Sequence, residues 1–175
     1  MITDKRGRLV AMAGVLAAIG LSVAGCGQGA LKTGDTAASF SLPGLAHRDQ
    51  QISLSAYAGK PVIVNFFASW SPPCVAETQL LAHFYRYNHG RILVIGVDGR
   101  DDRNAAVGLL AKSLVSYPVA ADPSLAVAST YGVPGFPTTY FLDARHQIVR
   151  VDYGWLNWKK LRQGVAHMDA GTFSY

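Results

Sequence analysis

Serine and cysteine stand three positions apart in Ser71-Pro72-Pro73-Cys74, and these are the residue types best suited to nucleophilic chemistry. A cysteine thiolate attacks disulfides and peroxides, whereas a serine hydroxyl is far less acidic and forms no disulfide. The only other cysteine in the sequence is Cys26. Redox chemistry at this motif therefore has to use Cys74 alone. The alternative is that Cys74 is a buried, inert side chain behind a helix-capping Ser71.

The N-terminal segment has the composition of an export signal. Basic residues near the start precede an apolar run over residues 9–23, an order typical of secretory signals. The run has 15 residues, fewer than the roughly 20 that span a bilayer as a helix. Val23-Ala24-Gly25-Cys26 resembles the bacterial lipobox, which implies diacylglycerol on the sulfur of Cys26. Cleavage without lipid attachment is the alternative.

Composition divides the chain into three parts. Residues 1–25 are predicted to be a lipoprotein signal peptide. Residues 26–39, rich in Gly, Ala and Thr without an apolar period, are predicted to be a lipidated N-terminus and flexible stalk. Residues 40–175 are long enough for one hydrophobic core, so we expect a single domain. With Cys26 lipidated, no intramolecular disulfide can form.

Several classes of function have no support in the composition. The formal net charge is +5, but the basic residues outside the signal form no cluster, so no nucleic-acid partner is expected. The five histidines lack metal-ligand spacing, and no second cysteine is left to complete a zinc set. We expect no metal, no other cofactor and a monomer.

Apolar periodicity predicts alternating strands and helices. Residues 62–67 form a β-branched and aromatic run typical of a central strand buried on both faces. Ser71 and the two prolines after it suit the start of a helix that ends near Asn88. The other predicted elements are a strand at 91–97, a helix after Asp101-Asp102, a short helix at 124–131, a hairpin at 138–142 and 148–153, and a last helix at 155–168. Successive β-α units imply a parallel core and an α/β fold class.

Two blocks of the sequence resemble one known family. Residues 64–74 are similar to the active-site strand and turn of thioredoxins, above all those of the extracytoplasmic TlpA/ResA type, which have W-C-x-x-C here and a glutamate at the position of Glu77. Residues 131–143 resemble the family's cis-proline loop and following strand. The resemblance implies a thioredoxin fold: a central mixed β-sheet flanked by helices, with a TlpA/ResA-type αβ insert. It also implies descent from thiol-disulfide oxidoreductases.

The resemblance assigns roles to the motif. In the family, the first cysteine attacks a substrate disulfide and the second resolves the mixed disulfide. Ser71 occupies the attacking position, expected to point outward at a helix N-terminus, and Cys74 occupies the screened resolving position. The two-cysteine cycle is therefore closed to this chain. Glu77 is expected either to assist proton movement near Cys74 or to be an ordinary solvated glutamate.

Four further residues are expected to bind the substrate. A cis peptide bond before Pro137 would leave the backbone of Phe136 free to pair with an extended peptide, with Thr138 beside it. Trp70 is expected either to form an apolar platform for the partner or to pack under the turn.

Three functions remain open at this point. The first is a membrane-anchored extracytoplasmic protein of the thiol-disulfide oxidoreductase class, acting through Cys74 on protein thiols or disulfides. The second is a monothiol peroxidase acting on peroxide, because peroxiredoxins have Ser or Thr three residues before their cysteine, although they place a proline where this chain has Phe67. The third is a non-catalytic module that binds extended peptides along Phe136-Pro137. A serine introduced at position 71 to trap mixed disulfides would give the same sequence.

Overall fold

The computed structural model describes residues 29–88 and 90–168. The predicted signal peptide and the predicted lipidation site Cys26 lie outside the described residues. Within those residues, no helix is both long and apolar enough to cross a bilayer.

The chain forms a small N-terminal hairpin followed by a sheet with helices on both sides. The hairpin consists of β1 (Ser41–Pro43) and β2 (Gln51–Ser53), and a 3-10 turn at Leu54–Tyr57 follows it. The remaining strands are β3 (Val62–Phe67), β4 (Leu93–Gly99), β5 (Val119–Asp122), β6 (Thr138–Leu142) and β7 (Ile148–Tyr153). The helices are α1 (Pro72–Tyr87), α2 (Arg103–Lys112), α3 (Ala126–Tyr131) and α4 (Trp158–Ala166).

The five-stranded sheet is mixed and has the strand order β5-β4-β3-β6-β7. Strands β3, β4 and β5 are parallel, whereas β6 pairs antiparallel with both β3 and β7. β3 is the central strand, as predicted. The predicted α/β architecture, a mixed sheet flanked by helices, is confirmed.

Both faces of the sheet are covered, which explains why β3 has no polar alternation. Side chains alternate between the two faces along a strand. Ile63 and Phe67 pack in one apolar cluster with residues of α1, α2 and α4. Val64 and Phe66 pack in the second cluster, with residues of the N-terminal hairpin and α3. All six residues of β3 are buried as a result.

Several elements differ from the sequence prediction. The first predicted strand begins at residue 62, whereas the structure has β1 and β2 before it. The sequence does not predict β5, because its four residues include two alanines and carry a weak strand signal. The last helix begins at Trp158 rather than near residue 155. Asn157 sets this start, because its side chain accepts a hydrogen bond from the backbone N–H of Lys160 at 3.0 Å and caps the helix.

The ordered domain begins earlier than predicted. The backbone N–H of Leu31 donates to the carbonyl of Tyr131 at 3.1 Å, and that of Gly34 donates to the carbonyl of Ile148 at 2.8 Å. These bonds join the segment to the end of α3 and the start of β7. The predicted stalk extended to residue 39, and this prediction is wrong for residues 31–37.

Asp122 should be important for the stability of α3. It is fully buried, and its two carboxylate oxygens accept the backbone N–H groups of Ala126 and Ala128, each at 2.9 Å. Asp122→Ala removes both acceptors and should lower the free energy of unfolding by about 2 kcal/mol or more, measured by urea denaturation. Asp102→Ala is the control, because Asp102 caps α2 through the single N–H of Ala105. We expect it to cost about 1 kcal/mol or less, and equal losses would contradict the assignment.

Candidate active site

The motif lies on the turn between β3 and α1. Ser71 is the N-cap residue of α1, and Pro72 and Pro73 occupy the first turn, where the N–H that proline lacks has no intrahelical partner. The Ser71 side chain does not cap the helix. Its hydroxyl donates instead to the carbonyl oxygen of Phe136, at 3.5 Å. The motif therefore contacts the loop over residues 132–137, named here the cis-proline loop.

The family resemblance implied that the Ser71 side chain points outward, but in the structure it faces the interior. It is only 5% exposed. Its hydroxyl donates to the Phe136 carbonyl and lies near the thiol of Cys74. The expectation of an exposed first position is wrong, because contacts across the site turn this side chain inward.

Cys74 is completely buried, with no exposed surface. It lies in the same apolar cluster as Phe67 and Leu81. Burial raises the pKa of the thiol, and the neighbouring Ser71 hydroxyl offsets this only in part. Cys74 is thus screened from solvent, as predicted, and its raised pKa favours the protonated thiol, which is a weaker nucleophile than the thiolate.

Glu77 lies one turn further along α1 and is also buried. One carboxylate oxygen accepts hydrogen bonds from Asn65 Nδ2 at 2.6 Å and Thr139 Oγ1 at 2.9 Å, and the other accepts the backbone N–H of Leu156 at 2.8 Å. Burial raises the pKa of Glu77 to about 7 in spite of these bonds. The expectation of a solvated glutamate is wrong, since Glu77 is a buried group that changes charge near neutral pH.

Asp101 holds the residues just before the motif, a role that the sequence analysis missed. Its carboxylate accepts both the backbone N–H and the hydroxyl of Ser69. Asp98, on β4, lies near Asp101, and burial, together with the neighbouring Asp101 carboxylate, raises the pKa of Asp98 to about 8. The predicted order of the parallel strands contained a signal for the contact between Ser69 and Asp101. Ser69 follows β3 and Asp101 follows β4, and the carboxyl ends of parallel strands meet at one edge of a sheet.

Three titratable groups at the motif therefore favour their protonated forms more than in water: the Cys74 thiol and the carboxyl groups of Glu77 and Asp98. Burial is the largest cause for each of them. In the described part of the chain, no group of three or more His, Cys, Asp or Glu side chains is arranged to hold a metal ion.

Trp70 is 63% exposed, so it does not pack under the turn. Its ring contacts that of Phe136, with ring centroids 6.0 Å apart, and its indole N–H donates to the carbonyl of Arg100 at 3.4 Å. The peptide bond between Phe136 and Pro137 is cis, as predicted. Trp70 and Phe136 thus lie side by side next to Ser71.

The two residues after Phe136 face the interior. Pro137 is buried, and its carbonyl accepts the backbone N–H of Gly154 at 2.9 Å. Thr138 is also buried, and its hydroxyl donates to the carbonyl of Gly135 at 2.8 Å. The predicted substrate contact is therefore not available to the Thr138 side chain, and a partner at this loop would meet Phe136.

The sequence is similar to known thiol-disulfide proteins. The family model described as Redoxin matches residues 32–166. The thiol:disulfide interchange protein DsbE of Xylella fastidiosa is 35% identical over 113 residues, which cover 64% of this chain and 56% of that protein. The thiol-disulfide oxidoreductase ResA of Halalkalibacterium halodurans is 27% identical over 124 residues, which cover 70% of this chain and 69% of that protein. The match thus spans little more than half of the Xylella protein.

The fold is similar to that of a solved relative. The crystal structure of a thiol:disulfide interchange protein of the thioredoxin family from Chlorobium tepidum has a TM-score of 0.69 to this structure at 26% identity. The similarity covers 82% of this chain and 99% of that one. It confirms the thioredoxin fold that the two sequence blocks predicted. Since the family model covers most of the residues and the fold agrees with it, the chain belongs to the redoxin family of thioredoxin-like proteins.

Proposed function

We propose that this chain is an extracytoplasmic, lipid-anchored member of the thiol-disulfide oxidoreductase class that binds protein thiols or disulfides at its cis-proline loop. Its own thiol chemistry is limited to Cys74. One observation carries the proposal: Trp70 and Phe136 are available to a partner beside the cis-proline, whereas Cys74 is buried behind Ser71. The binding part of the site is retained, and the attacking thiol is absent.

Exchange at this site is restricted to a single step. In a two-cysteine protein, the first thiolate attacks a substrate disulfide and releases one substrate thiolate, and the second thiolate then displaces the other, leaving a protein disulfide. Ser71 can take neither role. Cys74 alone can form a mixed disulfide with the release of one substrate thiolate, and an external thiol must then free Cys74 by a second exchange.

Cys74 can react only when the turn over it opens. Its sulfur has no exposed surface, and Ser71 is hydrogen-bonded to the opposite loop. The closed form therefore favours partner binding over exchange, which supports the non-catalytic binding module as the second candidate function. The peroxidase has less support, because peroxide reduction requires an accessible thiolate and burial raises the pKa of Cys74.

The N-terminal sequence supports the proposed location. A basic start, an apolar run and a lipobox-like segment precede Cys26 in the order of a lipoprotein signal. We propose that the mature chain begins at Cys26, with the domain outside the cytoplasm and tethered to a bacterial membrane. We propose a monomer as its functional form.

Cys74 should be protected from thiol reagents in the folded protein. We expect alkylation by N-ethylmaleimide to be at least about a hundredfold slower than in guanidinium, because the sulfur must first be exposed by local opening. Peptide mass mapping measures the rate at Cys74. The matched control is Cys74→Ala combined with Ala76→Cys, since Ala76 is an exposed position of the same helix. Equal alkylation rates for Cys74 and the control thiol would contradict the closed site.

Ser71→Cys should restore disulfide exchange. The substitution supplies the attacking thiol at a helix N-terminus, where a thiolate is stabilised, and Cys74 is already in the resolving position. We expect the variant to reduce insulin with dithiothreitol as electron donor, and we expect the wild type and Ser71→Ala to stay at background. Cys74→Ser in the Ser71→Cys chain should accumulate mixed disulfides instead. If the wild type reduced insulin as fast as Ser71→Cys, Cys74 alone would support full exchange, and the proposed restriction to a single exchange step would be wrong.

Glu77 should make the folded protein less stable as the pH rises. Its pKa is raised from 4.5 to about 7 by folding. Between these values the folded state keeps a proton that the unfolded state has lost, so the free energy of unfolding falls by up to about 1.4 kcal/mol per pH unit. Glu77→Gln should flatten this part of the pH profile, measured by urea denaturation. The exposed Asp49→Asn is the control and should retain the wild-type slope. An unchanged slope in Glu77→Gln would show that Glu77 does not titrate there.

A further inference from the structure

A small pocket with charges of both signs lies between the N-terminal hairpin and the sheet, and it is named here the Asp98 pocket. Its volume is about 240 Å³. Asp98 and Asp101 come from the end of β4 and the loop after it. Arg48 and Arg103 come from the hairpin loop and the start of α2. The rest of the lining is an apolar wall that consists of Pro43, Leu45, Ala121 and Pro123.

The opposite charges of the pocket are not paired with each other. Within the described part of the chain, no ion pair joins the arginines of the pocket to its aspartates. The Arg103 guanidinium donates instead to the neutral carbonyls of Leu45 and Ala46, each at 2.9 Å. Arg48 is exposed, so its side chain is free to turn towards a ligand. Both positive charges are therefore available to an anionic group.

Asp98 lacks a hydrogen-bond donor. It is only 4% exposed, and its Oδ1 has no hydrogen-bond partner among the residues that the structure describes. A buried carboxyl oxygen without a donor costs free energy, and such atoms are rare in folded proteins. The ionised carboxylate of Asp101 is an acceptor itself, and it already binds the N–H and hydroxyl of Ser69. A ligand with N–H donors would supply what Asp98 lacks.

Backbone contacts fix the walls of the pocket. The backbone N–H of Leu45 donates to the carbonyl of Val119 at 2.8 Å, and Gly44 pairs with Ala120 in a β-bridge. The two hydrogen bonds of Arg103 join the same hairpin loop to α2. The hairpin, the sheet and α2 are thus held together before a ligand binds, which lowers the cost of binding.

We propose that the Asp98 pocket binds the zwitterionic headgroup of a small α-amino acid, either free or as the γ-glutamyl end of a thiol peptide. The α-ammonium group donates to the two aspartates, the α-carboxylate pairs with the two arginines, and the apolar wall receives the side chain. This inference goes beyond the proposed function, because it assigns a ligand site that contains neither Ser71 nor Cys74. Asp101 also binds Ser69, so the ligand lies close to the start of the motif.

Isothermal titration calorimetry on the full chain tests the proposal. The first probes are L-leucine, L-leucinamide, which lacks the carboxylate, and 2-hydroxy-4-methylpentanoate, which lacks the ammonium group. L-Leucine should bind at least about tenfold more tightly than either analogue, because each analogue loses one set of charge-assisted hydrogen bonds. Reduced glutathione distinguishes the two sources of the headgroup. If it binds more tightly than L-leucine, the ligand is a thiol peptide, and if it binds more weakly, the ligand is a free amino acid.

Substitutions in the protein locate the binding site. Arg48→Gln should weaken binding by at least about tenfold, and the fold should be retained because Arg48 is exposed. Arg86→Gln is the matched control, since Arg86 is also exposed but does not line the pocket, and it should bind like wild type. Asp98→Asn removes the charge that faces the ammonium group with little change of shape, and it should weaken binding as much as Arg48→Gln.

Binding should become tighter as the pH rises towards 8. Burial, together with the neighbouring Asp101, raises the pKa of Asp98 to about 8, so the carboxyl group is mostly protonated at neutral pH. The other charged groups of the pocket are Asp101, Arg48 and Arg103, and the lining from β5 has no titratable side chain. An ammonium ligand favours ionised Asp98, so the affinity should rise by up to about tenfold per pH unit below this pKa. Asp98→Asn should abolish this dependence.

Several outcomes would overturn the proposal. One is that neither L-leucine nor glutathione binds at concentrations up to about 10 mM. Another is equal weakening by Arg48→Gln and Arg86→Gln. If the hydroxy acid bound as tightly as L-leucine, the pocket would be a simple anion site on the arginines. If Cys74→Ala abolished glutathione binding, the ligand would lie at the motif rather than in the Asp98 pocket.

Discussion

Burial of one carboxyl group, that of Glu77, constrains the elements around the motif. Glu77 belongs to α1, and its hydrogen-bond donors are Asn65 of β3, Thr139 of β6 and the backbone of Leu156 just before α4. A buried carboxyl group without such partners would cost several kcal/mol, so these elements have to stay within hydrogen-bond distance of it. The same contacts hold α1 against the sheet, and Cys74, one turn earlier on α1, is enclosed as a result.

Replacement of the first cysteine changes the electrostatics of the motif as well as its chemistry. A thiolate at the very start of a helix is stabilised by unpaired N–H groups and by the helix dipole. Cys74 lies deeper in the first turn, where burial raises the pKa of the thiol and the nearby Glu77 and Asp101 raise it further. The remaining cysteine thus has the surroundings of a structural residue, whereas Trp70 and Phe136 stay accessible. The proposed function thus separates partner binding from thiol exchange.

Features that depend on neighbouring residues were predictable from the sequence, and features that depend on distant contacts were not. The two-sided burial of β3 followed from its run of β-branched and aromatic residues, in which Asn65 is the one polar side chain. The bounds of β6 and β7 followed from two apolar runs divided by a polar turn. The inward orientation of Ser71 depends on Phe136, 65 residues away, and the role of Asp101 depends on Ser69, 32 residues away. Neither contact could be predicted from hydrophobic periodicity, because it joins residues of different elements that are far apart in the sequence.

The N-terminal contacts place the site relative to the proposed lipid anchor. Leu31 is bound to Tyr131 at the end of α3, and the following Gly132, at φ of 71°, has Ala30 where a side chain would be. The chain therefore reaches the domain at the start of the cis-proline loop. Five residues from Cys26 to Leu31 extend at most about 18 Å. A lipid on Cys26 would thus keep the cis-proline loop close to the membrane surface, which would favour partner segments exposed there over partners free in solution.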